Sequence, residues 1–290
     1  DRAIADAIEI CVGQGAKPGT GGLLMGVKVL DHIAEMRDLP SGIDQRSPTR
    51  HPDWLGPDDL GMKIEQLREA TDWRVPIHLK LGACRVKDDV KLAAKAGADA
   101  IVIDSMLAGT GASAEVLLDH SGIPTVPAIV LAREALREMG LSGEVSLIAS
   151  GGIRGGADVA KALALGADAV AIGIAALVAL NCNRDIPEAD YENEVGVKAG
   201  FCHHCQTGKC PVGITTQDPE LEKRLDSDEG ANRVANFINS MTMELALITR
   251  SLGKSDVKSL EPEDMAALTL EASAMARVPL VGPEGVFGWD

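Results

Sequence analysis

The chain has 290 residues, 46% of them hydrophobic, enough to bury a sizeable core as one large α/β barrel or as two average domains. Its formal net charge of -15, from 28 basic and 43 acidic residues, would repel a polyanion, and no run of Lys and Arg forms the basic stripe that nucleic acid requires. No apolar run reaches the ~20 residues of a bilayer-spanning helix, and no basic-then-apolar signal segment opens the chain, so neither membrane insertion nor export is expected. Four of the six cysteines cluster late rather than spreading as a disulfide framework would, which points to a reducing, cytoplasmic compartment.

In chain order, residues 8–174 repeat one pattern: a short β-branched run, a Gly- or Pro-bearing loop, then a helical stretch rich in Ala, Leu and charge. That pattern predicts βα units and a parallel sheet. Strands are expected at 77–81, 100–104, 145–149 and 169–172, with weaker ones at 8–12, near Ile43 and at 125–129, where prolines interrupt the pattern. The linking segments place apolar residues at helical spacing, such as Val90, Ala93 and Ala94, then Val159 and Leu163. Counting the weak strands gives about seven units, close to the eight of a closed (β/α)8 barrel. The start on Asp1, directly before an apolar segment, leads us to expect that the first strands of the barrel are missing.

Past Leu180 the repeat gives way to an acidic, Pro-bearing insertion at 185–194 and a cysteine segment at 201–211. Two helices are predicted after it, at 229–251 and 262–276, the second capped by Ser259 or Glu261 with acids in its first turn. The chain therefore divides into a barrel over 1–180, a cysteine segment over 181–225 and a helical extension over 226–290. The extension carries no obvious chemistry.

Two strand ends carry glycines. The strand at 145–149 runs into Ser150-Gly151-Gly152-Ile153-Arg154-Gly155-Gly156, and the next unit ends at Ile172-Gly173. Glycine lets backbone N–H groups approach an anion, a helix N-terminus adds a favourable dipole, and two consecutive strand ends of this kind form a barrel's phosphate site. Lys80, at the end of an apolar strand, points to a flavin, because a cation in the barrel mouth can stabilise negative charge at N1 and O2 of the reduced ring. Cys202, Cys205 and Cys210, followed by Pro211, are spaced as thiolates that wrap an iron–sulfur cluster; zinc is the rival, since His203 and His204 lie among them. Cys11 and Cys84 lie on barrel elements and read as core.

These residues together resemble the flavin-binding central domain of the glutamate synthase large subunit and its relatives. The likeness rests on Gln14-Gly15-Ala16-Lys17-Pro18-Gly19 with Gly21-Gly22, then Ser47-Pro48 with His51, Gly109-Thr110-Gly111-Ala112-Ser113, Cys210-Pro211-Val212-Gly213, and Thr216-Gln217-Asp218-Pro219. The resemblance implies a barrel that holds FMN and a 3Fe–4S cluster and reduces 2-iminoglutarate to glutamate. It assigns Gln14 and Lys17 to the substrate, where they are also candidate catalytic residues; Arg37 is a further candidate cation for the dicarboxylate, since fixed cations suit carboxylates. Lys80 is assigned to the flavin ring, and Gly151, Gly152, Ile153, Ile172 and Gly173 to the flavin and its phosphate. The implied cluster ligands are Cys182, Cys205 and Cys210, with Cys202 spare or as the fourth ligand of a 4Fe–4S cluster. Met106-Leu107 stand where family members commonly carry His-Asp, which leaves Asp104 as the nearest acid and the candidate catalytic carboxylate.

Residues 200–205, with Leu260-Glu261-Pro262-Glu263-Asp264 and 271–275, are similar to a split branch of the family that makes N-methylglutamate, in the polypeptide of that branch that carries the flavin and the cluster. That branch implies glutamate with methylamine or ammonia as small-molecule partners. It also implies glutaminase-like and β-helix-like partner subunits.

Overall fold

In the computed structural model, residues 5–282 are described except Ala112, 183–185, 187–191, 194, 197 and 199–201. The predicted insertion at 185–194 lies largely outside the described residues. The elements run in chain order: β1 (Ile8–Cys11), β2 (Leu23–Leu24), α1 (Asp31–Arg37), β3 (Gln45–Arg46), α2 (Pro57–Ala70), β4 (Ile77–Gly82) and α3 (Val86–Lys95). Then come β5 (Ala100–Asp104), α4 (Glu115–His120), α5 (Thr125–Glu138), β6 (Ser146–Ser150), α6 (Gly156–Ala164), β7 (Ala169–Ala171) and α7 (Ile174–Leu180).

Five strands form one parallel sheet in the order β1-β4-β5-β6-β7, and β2 pairs antiparallel with β3 beside it. Every crossover carries the chain to the next strand in the same direction. A doubly wound sheet would reverse somewhere, so this ordering is that of a (β/α) barrel. The register sets Gly82, Asp104, Ser150 and Ala171 side by side, which brings the carboxyl ends of four strands to one level.

Strand β4 shows how the sequence produces the layers. Ile77, Leu79 and Leu81 are buried and pack with Ile64 of α2 and Val86, Val90 and Ala93 of α3. His78 and Lys80, on the alternate positions, face the other side of the sheet. Each fully buried Ile or Leu contributes roughly 2 kcal/mol. Strand β5 is buried along its whole length, as expected for the centre of a parallel sheet covered on both faces.

The count of about seven units is corrected to five parallel strands among the described residues. The expected strand near Ile43 is the two-residue β3 of the small antiparallel pair. The expected strand at 125–129 is the first turn and a half of helix α5. Pro124 is its N-cap and Pro127 falls in its first turn, where a missing N–H costs nothing, so the prolines start this helix rather than interrupt a strand. Cys11 and Cys84 are exposed rather than core. Cys11 ends the sheet-edge strand β1, and Cys84 sits in the turn leaving β4.

The first C-terminal helix spans Ser227–Ser251, with the Asp226 carboxylate accepting from the N–H groups of Asp228 and Glu229 at its start. It packs across α6 and α7. The second predicted helix is two pieces. A 3-10 turn at Pro262–Asp264 carries the capping box of Glu261 and Asp264, and a separate helix at Leu270–Ala276 is capped by Thr269. Between them Ala267 pairs with Leu280 and donates to the Pro279 carbonyl, so a tertiary bridge takes the backbone that a continuous helix would need.

Candidate active site

A cleft of about 910 Å³ opens at the carboxyl ends of the strands. Gln14, Lys80, Asp104, Gly151, Gly152, Ile153, Ile172 and Gly173 all line it, so the fold gathers most of the residues singled out in the sequence. Asp104 is 4% exposed and fully engaged. Its Oδ2 accepts from the Gly15 N–H at 2.9 Å and lies 3.4 Å from Lys80 Nζ, and its Oδ1 accepts from Ser150 Oγ at 2.5 Å. A buried carboxylate without such partners would be strongly disfavoured, and the same network anchors Lys80 in the cleft lining.

The loop after β1 reaches this network only because residue 15 is glycine. A Cβ there would stand 1.8 Å from the Ser105 carbonyl oxygen. Gly151 and Gly152 have positive φ, at 105° and 72°. Their close neighbours are protein: a Cβ on Gly151 would meet Ser105 Oγ at 2.3 Å, and one on Gly152 would meet Leu107 at 2.8 Å. The short turn Met106–Ala108, capped by Ser105, thus lies across these glycines, and Thr125 Oγ1 ties it down by bonding Ser105 Oγ and the Gly151 carbonyl, each at 2.7 Å. Gly173 differs, because nothing lies within 4 Å of a Cβ built there. That open backbone, at the N-terminus of α7, is where an anion has room.

Two expected residues do not join the cleft. Lys17 is half-buried on the same loop as Gln14 but outside the lining, and Arg37 is exposed at the end of α1 with Gln45 as its partner at 3.5 Å. Conversely, the sequence reading missed Arg233, Asn236 and Phe237, which the long helix Ser227–Ser251 contributes to the cleft wall. Their signal was the recurrence of Gly230, Arg233 and Phe237 at helical spacing on the face that meets the barrel. Glu244 was also missed. Its Oε2 accepts from the Gly156 N–H at 2.7 Å, so the long helix itself caps α6 and fills that helix terminus with a carboxylate.

The cysteine segment docks beside the cleft. Lys28 Nζ donates to the Cys205 carbonyl at 3.1 Å, and a Cβ at Gly111 would touch Cys205 Sγ at 3.4 Å, one residue from Thr110 in the cleft lining. Burial pushes the Cys182 thiol up, and the thiols of Cys205, Cys202 and Cys210 add to the effect, which shows that the four share one neighbourhood. Cys205 is raised by burial and by Cys202 and Cys210. Burial acts to raise Cys210 too, but the backbone N–H groups of Thr215, Val212 and Ile214, with the Thr215 hydroxyl, outweigh it and hold this thiol below its ordinary value. The chemistry of this donor set suits thiolate ligation. Among the described residues, however, no group of three or more His, Cys, Asp and Glu side chains is arranged to hold a metal ion as it stands. His204 is engaged by the Val195 carbonyl and Thr207, at 2.7 and 3.0 Å.

Comparison with known proteins fits this arrangement. Residues 3–255 match the family model described as the conserved region in glutamate synthase. The chain belongs to the glutamate synthase family. It is 56% identical over 278 residues to a glutamate synthase large subunit-like protein of Rhizobium meliloti (strain 1021), covering 96% of this chain and 63% of that protein. It is 46% identical over 255 residues to an archaeal glutamate synthase (NADPH) of Methanocaldococcus jannaschii, covering 88% of this chain and 47% of that protein. The chain thus spans only about half to two thirds of the length of these relatives. Among solved structures it resembles flavocytochrome b2 with pyruvate bound, at a TM-score of 0.52 and 20% identity, over 98% of this chain and 52% of that one. That likeness concerns the fold, a barrel of the (β/α)8 type. Among the described residues no helix is long and apolar enough to cross a membrane.

Proposed function

We propose that this chain is the flavin- and cluster-bearing part of a glutamate synthase-type enzyme, working on the glutamate or 2-iminoglutarate skeleton. The observation that carries the reading is the convergence in one cleft of the cation Lys80, the buried Asp104 and the open backbone at Gly173. FMN fits these residues, with its phosphate toward Gly173 and its ring toward Lys80. Once bound, it would supply reversible hydride acceptance, chemistry that no side chain offers. A cluster on Cys182, Cys205 and Cys210, with Cys202 spare or as the fourth ligand, would pass single electrons; Cys205 stands beside Gly111, one residue from Thr110 of the cleft lining.

The chain's own groups then have separable tasks. Lys80 stabilises negative charge at the ring end of the cleft, and Asp104 fixes Lys80 while anchoring the Gln14 loop through the Gly15 N–H. Gln14 offers both a donor and an acceptor to a carboxylate or imine at the mouth. The Met106–Ala108 turn closes the cleft wall above the glycines.

A finer reading concerns the amine. Leu107, half-exposed, lines the cleft at a position where the resemblance leads one to expect an acid, and an apolar wall there accommodates a methyl group. This favours N-methylglutamate formation from methylamine and glutamate with release of ammonia, a cycle without net electrons. Glutamate synthase proper would instead consume 2-oxoglutarate, ammonia and an external reductant. The decisive assay uses the assembled enzyme, glutamate deuterated at the α-carbon, and methylamine. Turnover with flavin bleaching and loss of deuterium supports the methylamine reading. Turnover only with 2-oxoglutarate and added reductant overturns it in favour of glutamate synthase, and a colourless protein without flavin or iron overturns both.

A further inference from the structure

We propose that Thr125, behind the cleft wall, is a positioning residue for amine selection: through a one-way chain of buried hydrogen bonds it holds the Leu107 wall where a methyl group fits. The proposal rests on the methylamine reading above and adds to it a residue that lies outside the cleft lining.

The direction of the chain follows from what each group can donate. The Gly151 carbonyl only accepts, so the Thr125 hydroxyl, 2.7 Å away, gives its one proton there. Thr125 Oγ1 then accepts from the Ser105 hydroxyl at 2.7 Å, and Ser105 Oγ accepts from the Leu107 N–H at 3.2 Å. Ser105 is 0% exposed and Thr125 7%, so bulk water does not replace a lost partner. The chain joins two strand ends that frame the cleft, β5 through Leu107 and β6 through Gly151, both of which line it. Helix α5, which Thr125 begins, runs for 14 residues and packs on α3 and β6, so the chain is anchored in the outer layer of the barrel.

The other bonds of the turn leave Leu107 to this chain. Met106 donates to the Ile123 carbonyl at 3.1 Å, while Ala108 and Gly109 donate back into the turn. The Leu107 side chain rests on Gly152, where a Cβ would stand 2.8 Å from Cδ1. Its place is therefore set by the glycine loop on one side and by Ser105 on the other. Without the Thr125 hydroxyl, the Gly151 carbonyl and the Ser105 hydroxyl each lose a partner in a buried setting, and the turn and the glycine loop shift against each other. A methyl-sized site is sensitive to such a shift, since one methylene in a shaped apolar pocket is worth roughly 10-fold or more in discrimination.

The test gives the assembled enzyme glutamate with equal concentrations of methylamine and isotopically labelled ammonia. Mass spectrometry then reads the partition between N-methylglutamate and labelled glutamate. T125V keeps the side-chain shape and drops the hydroxyl, whereas T125S restores it. T125V should lower the methylamine-to-ammonia partition by about 3- to 10-fold, and T125S should stay within about twofold of wild type. S105A cuts the chain between Thr125 and Leu107 and should shift the partition in the same direction, which keeps the test open where T125V does not fold. A merely structural role would lower total turnover or melting temperature and leave the partition alone. That result in T125V or S105A, or an equal shift in T125S, overturns the role of Thr125 while the methylamine reading stands. If wild type makes no N-methylglutamate, the methylamine reading fails and this proposal fails with it.

Discussion

The barrel mouth and the cysteine segment adjoin at Gly111, yet they are prepared for their ligands in opposite ways. At the mouth, sheet register places Asp104 between Gly82 and Ser150, and hydrogen bonds from Gly15 and Ser150 hold it from within the protein. In the cysteine segment the thiols share a neighbourhood, but apart from the N–H groups around Cys210 little directs them to one point. A site built from backbone and register is part of the fold. A site built from thiolates takes its final geometry from the ion that deprotonates and binds them.

The largest effect that would sharpen this contrast is removal of one thiol. On the proposed cluster reading, Cys205→Ser should cost the assembled protein most of its iron while the flavin stays, since Cys205 Sγ stands beside Gly111 rather than in the cleft lining. Iron analysis and the visible spectrum of anaerobically purified protein measure both. Full iron content in C205S would remove Cys205 from the ligand set, and loss of flavin with the iron would break the claim that the mouth is prepared independently.

The converse change should damage the mouth and spare the thiols. Gly15→Val places a side chain where 1.8 Å separates a Cβ from the Ser105 oxygen, so the loop must lift and Asp104 loses its Gly15 partner. Overpacking and a lost buried hydrogen bond together predict a destabilisation of roughly 3 kcal/mol by denaturant unfolding. Flavin affinity should fall, while any iron held by the proposed cysteine ligands should be retained in the fraction that folds. Wild-type stability and flavin affinity in G15V would show that the loop is not held as described.

The same contrast explains what the sequence reveals before any coordinates. Strands β4, β5 and β6, the glycines of the mouth, Lys80 and Asp104 are all legible, because periodicity and strand ends are local signals. Helix α5 is misread as a strand at 125–129 because its prolines at 124 and 127 act as start signals only once the helix that follows is recognised. Arg37 looks suited to a dicarboxylate by charge, but its place on α1 points it at Gln45 instead. Arg233 and Glu244 reach the barrel from a helix more than 50 residues past β7, a relation that only packing of the long helix on α6 and α7 creates.

The smallest predicted effect lies away from both regions and serves as their control. Glu138, at the end of α5, has its carboxyl held down to about 2 by Lys87, at 2.6 Å, and by Lys91, at 2.5 Å. A carboxyl lowered on folding stabilises the native state above its ordinary value of 4.5, and that contribution fades as pH falls through about 2. Wild type should therefore melt slightly above E138Q at neutral pH, and the gap should close between those two values as acid is added. Because these groups are well exposed, added salt should shrink the gap as well. Flavin and iron content should be unchanged in E138Q, since the ion-pair cluster joins α3 to α5 on the outside of the barrel and touches neither Lys80 nor the thiols. A gap that persists through pH 2 would show that it does not come from the ionised Glu138 carboxylate, and a loss of flavin would show that α5 and the mouth it braces through Thr125 are coupled more tightly than the separate hydrogen bonds imply.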